Sequence, residues 1–446
     1  MKTIRIGGGA GFSGDRIEPA VELAKFGKLN YLAFECLGER TIALAQARKQ
    51  HDPSLGYDPL LIERMEAVLP YCADEHIRIV TNMGAANPQS AAKAVANVAR
   101  RLGVTGLRIA AIAGDDVLGL LEKNDYRLIE RPGWVSELRP SIISANAYIG
   151  AEPIVEALRG GADVIITGRV GDPALFLGPM IYEFGWAFDD WPRLGRGTII
   201  GHLMECAGQL TGGYYADPGF KDVPDLARLG FPIAEVDSEG TALFSKVDGS
   251  GGRLDVSTCT EQLLYEILDP TAYYQPDVIA DLSSVSLKSV GPNRVAFRGG
   301  SGVRRPDTLK VSIGYQDGYV GEGQISYAGP GCLERGNLAL DIVKERISLV
   351  GLEVTDLRLE LIGVNAVNLA AHSARIQAPP EVRARVIGRT KSKRDAERLG
   401  AEVESLYTNG PSGGGGVTKG IKQVTAVLST LVPRTEVVPS IHYEVA

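Results

Sequence analysis

Thr3-Ile-Arg-Ile-Gly-Gly-Gly-Ala-Gly-Phe-Ser-Gly-Asp-Arg16 reads as a short strand (3–6), a tight glycine loop (7–14) and the start of a helix. Asp15 is the expected cap of that helix, and Pro19 suits its first turn. Strand, glycine loop and helix in this order point backbone N–H groups at an anion. The loop is neither a dinucleotide fingerprint with its acidic partner in place nor a nucleotide-phosphate loop, since no Gly-Lys-Ser/Thr follows. Phosphate or carboxylate binding and a purely structural turn are both open readings.

Strand and helix signals then alternate down the chain, without a clean internal repeat. Apolar strands are expected at 29–35, 77–81, 107–113, 141–145 and 163–167, with helices at 40–50, 60–69, 89–102 and 152–160. Near-continuous apolar strands alternating with helices predict an α/β fold, a mainly parallel sheet with helices on both faces. Ligands of such sheets bind beyond the carboxyl ends of the strands. Those ends carry Asp15, Arg16, Glu35, Asn82, Asp115, Asp116, Asn146, Arg169 and Asp172. One shared cleft accounts for them together. Helix capping alone accounts for some of the Asp and Asn but not for the arginines. Arg169 has the chemistry of a carboxylate or phosphate clamp, and Asp172 is placed to cap a helix opening at Pro173.

A second concentration lies at Gly201-His-Leu-Met-Glu-Cys-Ala-Gly-Gln-Leu-Thr-Gly-Gly-Tyr-Tyr-Ala-Asp-Pro-Gly219. On a helix, His202, Glu205, Cys206 and Gln209 share one face. Thr211-Gly-Gly213 then stops the helix and lets backbone approach a ligand, with Asp217 shortly after.

From residue 231 the character changes, and beyond 280 apolar residues alternate at period two, as in half-exposed antiparallel strands. Helices are expected at 334–348 and 392–405, and 299–306 is a Gly/Pro-rich surface loop. The expected division is an α/β domain over 1–280 and a smaller α+β domain over 281–446. Asn409-Gly-Pro-Ser-Gly-Gly-Gly-Gly416 reads either as a linker or as an anion nest facing the first-domain cleft, with Gly414 at its centre.

Composition narrows the function classes. The 446 residues, 44% hydrophobic and 23% charged, are ordinary for a soluble globular protein. A net charge of −7 argues against a general nucleic-acid binder. Cys36, Cys72, Cys206, Cys259 and Cys332 include no CxxC pair, which argues against a zinc ribbon and fits a reducing cytosol. No signal-peptide pattern opens the chain, and no apolar run reaches the ~18 residues of a membrane span. The expected location is the cytoplasm, with no membrane partner.

The motifs together resemble a family. Gly9-Ala-Gly-Phe-Ser-Gly-Asp-Arg16, Glu35-Cys-Leu-Gly-Glu-Arg-Thr41, Gly168-Arg-Val-Gly-Asp-Pro173, Gly201-His-Leu-Met-Glu-Cys206, Thr211-Gly-Gly-Tyr-Tyr-Ala-Asp-Pro218 and Gly410-Pro-Ser-Gly-Gly-Gly-Gly416 are similar to those of the acyclic terpene utilization, AtuA-type, family. The resemblance runs nearly the whole chain. It implies a place in bacterial breakdown of citronellol- and geraniol-type compounds, without naming a reaction. Some relatives carry a further ferredoxin-like domain, so a small ferredoxin-like subunit is one expected partner, and a branch without it is the other reading. A homo-oligomer is expected from the general prevalence of symmetric assemblies.

The chemistry follows from residue types. His202, Glu205 and Asp172 are candidate acid–base groups, and Cys206 is a candidate nucleophile. Gly11, Asp15, Arg16, Glu35, Asn82, Asn146, Arg169, Gln209, Gly213 and Gly414 are candidate substrate-binding positions. His202, Glu205 and Asp217 are candidate ligands of a divalent metal such as Mg²⁺ or Mn²⁺. No NAD, FAD or ATP motif is present. This set predicts a lyase of the hydratase or dehydratase type, and the resemblance implies a branched or unsaturated carboxylic acid, or its CoA thioester, as the substrate. An isomerase using the same groups, and a non-catalytic subunit of a catabolic complex, are the alternatives.

Overall fold

The structure, a computed structural model, describes residues 2–367 and 379–446. His372, expected from the sequence to be structural or exposed, lies outside the described residues. Two compact units are present, one comprising Met1–Gly314 with Val427–Ala446 and the other Tyr315–Ala426. The stretch 281–314, expected to open the second domain, lies with the first unit.

In the first unit the alternating elements follow in order: β1 (Thr3–Ala10), α1 (Glu18–Phe26), β2 (Tyr31–Phe34), α2 (Glu39–His51), α3 (Leu61–Asp74), β3 (Arg78–Thr81) and α4 (Pro88–Arg101). Next come β4 (Arg108–Ala113), α5 (Leu118–Lys123), β5 (Ile142–Ala147), α6 (Glu152–Arg159), β6 (Val164–Thr167), α7 (Ala174–Phe184) and α8 (Trp191–Glu205). The run ends with β7 (Pro232–Asp237), β8 (Ala242–Lys246), α9 (Val256–Leu264), β9 (Tyr273–Tyr274), β10 (Ile279–Asp281), β11 (Ser286–Gly291), β12 (Arg294–Arg298) and β13 (Ser301–Val303). β14 (Thr308–Ala328) leads into the second unit, which holds α10 (Cys332–Leu349), β15 (Thr355–Ile362), β16 (Glu381–Thr390), α11 (Lys393–Glu404) and α12 (Leu406–Asn409). β17 (Gly415–Pro433) returns to the first unit, where β18 (Ser440–Val445) follows.

The main sheet has ten strands in the order β11-β12-β8-β7-β1-β2-β3-β6-β4-β18. Its centre is parallel, with β1 beside β2, β2 beside β3, and β6 between β3 and β4. Strands β7, β8, β12 and β11 on one side and β18 on the other are antiparallel. The expected mainly parallel sheet is therefore a mixed sheet. The apolar runs of β2, β3 and β6 mark strands buried on both faces, and these alone are parallel neighbours on both sides. β11 and β12 do alternate as expected, but they extend this sheet. Period-two patterning reports one exposed face and not which sheet the strand joins. β5 leaves the main sheet and pairs with β14.

Alternation within the central strands sets the layers. Leu32, Phe34, Ile79, Ile109 and Ile166 face a core built with α1, α3 and α4. α6, α7 and α8 pack from the other side, against β4, β2 and β1. The second unit has its own core, in which Ile325, Val343, Leu361, Val386 and Leu399 lie between the sheet β15-β16-β14-β17 and helices α10 and α11. No described helix is long and apolar enough to cross a membrane.

Candidate functional site

Beyond the carboxyl ends of β1 and β2, facing the end of α8, lies a cleft of about 600 Å³. Its lining residues all belong to the first unit. Gly11, Asp15, Arg16, Glu35, Asp172, Glu205, Cys206, Gln209 and Gly213 contribute to it, although the sequence spreads them over four stretches. Arg169, His202, Asn82 and Asn146 lie behind that surface, and each holds a neighbour in place.

The glycine loop forms one wall. Gly11 is required by packing, because a Cβ there would meet the Cys206 carbonyl carbon at 2.5 Å. Asp15 does not cap α1, whose N-cap is Ile17 with no side-chain bond. Its carboxylate closes the loop instead, accepting from Gly11 N and Arg16 N at 2.9 Å each. Burial raises the Asp15 pKa against these bonds. Arg16 donates to the Leu226 and Ala227 carbonyls at 2.9 and 3.1 Å.

The base of the cleft is a group of carboxyls. Glu35 follows β2 and accepts from Leu37 N and Asn82 Nδ2, both at 2.8 Å. Asn82 also accepts from Cys36 N at 2.7 Å, so it fixes the turn that carries Glu35. Burial, and after it the charge of Asp172, push the Glu35 carboxyl up to about 8, against the pull of Arg169. Asp172 does not cap α7, whose N-cap is Pro173. It binds Arg169, with Arg169 Nη1 donating to Oδ1 at 2.5 Å and Nη2 to Oδ2 at 3.4 Å. Arg169 is thus no free substrate clamp. Its guanidinium is buried, lies 4.0 Å from the Tyr148 ring, and also donates to the Leu37 carbonyl. Burial raises the Asp172 carboxyl, and Arg169 opposes that and favours its ionised form.

Arg169 is oriented from behind by Asp115, which accepts from Arg169 N and from Asn146 Nδ2, both at 2.9 Å. Burial pushes Asp115 up to about 6. Asp116 sits farther out and accepts from Gln46 at 3.2 Å.

The stripe on α8 is shorter than expected. The helix ends at Glu205, Cys206 is its C-cap, Ala207 takes φ +41°, and a 3₁₀ turn carries Ala207–Gln209. His202 is buried, with Nε2 3.3 Å from the Leu263 carbonyl and Nδ1 2.9 Å from Glu205 Oε1. A carbonyl only accepts, so Nε2 carries the hydrogen and Nδ1 is an acceptor in the neutral ring. Glu205 is then the protonated donor. Burial agrees on both counts, lowering His202 to about 4 and holding Glu205 well above the usual carboxyl range, with Asp172 and Glu266 adding to the rise. The second oxygen of Glu205 is buried at the cleft wall without a hydrogen-bond partner among the described residues. The Cys206 thiol is pushed well up by burial and by Glu205, and stays protonated at neutral pH.

Two expected positions fall elsewhere. Asp217 is in an exposed turn, bonded to Lys221 through backbone. Gly414 belongs to the second unit, where it packs on Ile325 and Tyr327. Among the described residues no three His, Cys, Asp or Glu side chains are grouped so as to hold a metal ion.

The sequence reading overlooked Glu39, Tyr265, Glu266, Phe12 and Phe231, which also line the cleft. Glu39 sits in the Glu35–Thr41 motif and only its role escaped notice. Burial would raise it, but Arg169, Tyr148 and Lys310 hold it down at about 2. Arg64 left no signal at all. It is fully buried on α3, and its Nη2 gathers the carbonyls of Phe12, Ser13 and Asp15 at 3.4, 3.0 and 3.1 Å.

No curated protein matches the sequence. A family model described as acyclic terpene utilisation family protein AtuA matches residues 4–443. That span takes in every residue of the cleft and nearly the whole chain, so the protein belongs to the acyclic terpene utilisation family AtuA.

Proposed function

We propose that the cleft is a proton-transfer active site and that the protein is a hydro-lyase, adding or removing water at a branched, unsaturated acyl group. The observation that carries this reading is the pair Glu35 and Asp172 on one cleft. Burial raises Asp172, and Arg169, bonded to both of its oxygens, opposes that rise and favours the carboxylate, while burial and that negative charge keep a proton on Glu35 at neutral pH. One group is set to take a proton and the other to give one, which is what elimination next to a carbonyl needs. In dehydration Asp172 takes the proton on the carbon next to the carbonyl. Glu35 gives its proton to the departing hydroxyl. The C–H and C–O bonds break, a C=C bond forms and water leaves; hydration is the reverse. Glu205 Oε2 offers the water an acceptor, and His202 is a positioning residue behind it.

The walls favour an acyl group without charge. Asp15, Glu39, Asp172, Glu205 and Glu266 accompany Glu35, and the one cation among the described lining residues, Arg16, already serves two carbonyls. A free carboxylate meets repulsion there, whereas a thioester does not. Phe12, Leu37, Leu229 and Phe231 give a branched hydrocarbon an apolar wall. The family description supplies the acyclic terpene context.

The test is incubation of the purified protein with branched unsaturated acids and their thioesters in deuterated water, read by mass spectrometry. The expected result is a hydrate formed from thioesters. Deuterium exchange without a hydrate would replace the lyase by an isomerase. No turnover across the panel would favour a non-catalytic subunit.

A further inference from the structure

Tyr214 lines the cleft and is 87% exposed, so its ring has almost no cover from the protein. Its backbone is left-handed, at φ +60°. Bulky residues rarely adopt that conformation. The chain on either side accounts for the conformation but not for the residue. Before it, Gly213 N donates to the Gly208 carbonyl at 2.8 Å, and a Cβ on Gly213 would lie 2.8 Å from that carbonyl oxygen. After it, Tyr215 is buried, with Lys221 Nζ 4.6 Å from its ring centre. Residue 214 is pinned between these anchors. Glycine would take the left-handed turn without strain, and glycine stands at 212 and 213. The tyrosine at 214 accepts the strain and gains neither burial nor a side-chain hydrogen bond or ring contact among the described residues. Strain kept without a gain inside the fold points to a gain made with a ligand.

Phe12 is the independent observation. It belongs to the glycine-loop wall, lines the same cleft and is 60% exposed. Its ring lies over Gly14, where a Cβ would meet Cε2 at 2.7 Å. Its carbonyl accepts from Asp15 N at 3.1 Å and from Arg64 Nη2 at 3.4 Å, so the ring stands on a fixed backbone. Leu229 and Phe231 back the second wall, since a Cβ on Gly208 would meet each of them at 3.0 Å. Exposed rings that share a cleft with an apolar wall mark a surface for a ligand to cover.

We propose that Tyr214 and Phe12 set the substrate specificity of the cleft, their rings covering the hydrocarbon chain of a long acyl group whose carbonyl end lies at the carboxyls. This rests on the reading of the cleft as an acyl site. A chain too short to reach the rings leaves both in water, so long acyl groups are selected over short ones.

The test is calorimetric titration of the full-length protein with the butyryl and octanoyl thioesters of N-acetylcysteamine. Both are saturated and uncharged, and their binding needs no turnover. The octanoyl probe is expected to bind about tenfold more tightly than the butyryl probe, or better. Tyr214→Gly is expected to lose most of that difference while melting at or above the wild-type temperature, because glycine is unstrained at 214. A tyrosine kept for folding alone would give the reverse, a lower melting temperature with unchanged binding, and that result overturns the proposal. Phe12→Ala is expected to weaken octanoyl binding in the same direction. Chain-length selection that disappears in Tyr214→Gly supports the proposal even where no hydrate forms from unsaturated thioesters. Hydrate formation by Tyr214→Gly with the wild-type chain-length preference overturns it and leaves the hydro-lyase standing. Equal binding of the two probes to the wild type, or no binding of the octanoyl probe, overturns it as well.

Discussion

At the scale of single residues, the consequences of burial can be measured through pH. Glu35 titrates near 8 in the folded protein against an ordinary value of 4.5. A raised folded pKa means that the folded state holds the proton more tightly. The stability due to this proton is complete below pH 4.5 and is lost as pH rises through 8. His202 works in the opposite sense, since its value falls from 6.5 to about 4, and its share is lost as pH falls through that window. Above pH 6.5 the His202 contribution is flat. Glu35→Gln is therefore expected to lose less stability than the wild type between pH 6.5 and 8.5, by about 2 kcal/mol, in denaturant titrations at the two values. An equal loss in both proteins would remove Glu35 from the titrating group. In turnover assays the same variant is expected to fall by about 10²-fold or more if Glu35 is the proton donor. Cys206→Ala, in contrast, is expected to keep most activity, because a thiol held protonated is a poor nucleophile. Loss of all turnover in Cys206→Ala would restore covalent chemistry. The sequence already pointed to Glu35, Asp172, Glu205 and Cys206. It could not show that Asp172 would pair with Arg169, because the same residue type before a proline also caps helices.

At the scale of elements, the strand-to-helix loop of 11–16 is held from two sides. Arg64 collects three of its carbonyls and pairs with the buried Asp58 at 3.4 Å, and the backbone of Cys206 fills the space that a side chain at Gly11 would need. Arg64→Met leaves those carbonyls and a buried carboxylate without their partner and is expected to cost about 3–5 kcal/mol in chemical denaturation. Gly11→Ala pushes the loop away from α8 and is expected to cost about 1–3 kcal/mol. Gly119→Ala is the contrast, a helical position with nothing within 4 Å of a new Cβ, where a small gain is expected. A Gly11→Ala protein as stable as the wild type would mean that the loop gives way freely. The glycine loop itself was legible from its order, strand then glycines then helix. Arg64 was not, because a single arginine on an amphipathic helix reads as exposed until the loop that it serves is folded over it.

At the scale of the whole molecule, the central strands were legible because their apolar runs have one explanation, burial on both faces. The wings of the sheet were not, since β11, β12 and β18 alternate like any half-exposed strand and nothing local says whose edge they extend. Edges and exposed apolar residues are also where association is expected. β11 is an outer strand with mostly exposed side chains, and Leu264, Leu268 and Tyr274 stand exposed in one short stretch. Lys288 on β11 discourages strand-to-strand pairing there, so the apolar stretch is the stronger candidate contact. Light scattering of the full-length protein at micromolar concentration is expected to give a multiple of 47.6 kDa. Replacing Leu268, which is fully exposed, by Asp costs little within one chain but places a charge in any contact made there. The expected result is a lower measured mass for Leu268→Asp, with unchanged melting of the separated chain. A wild-type mass of 47.6 kDa would rule out self-association at that concentration, and an undiminished mass for Leu268→Asp would place the contact elsewhere.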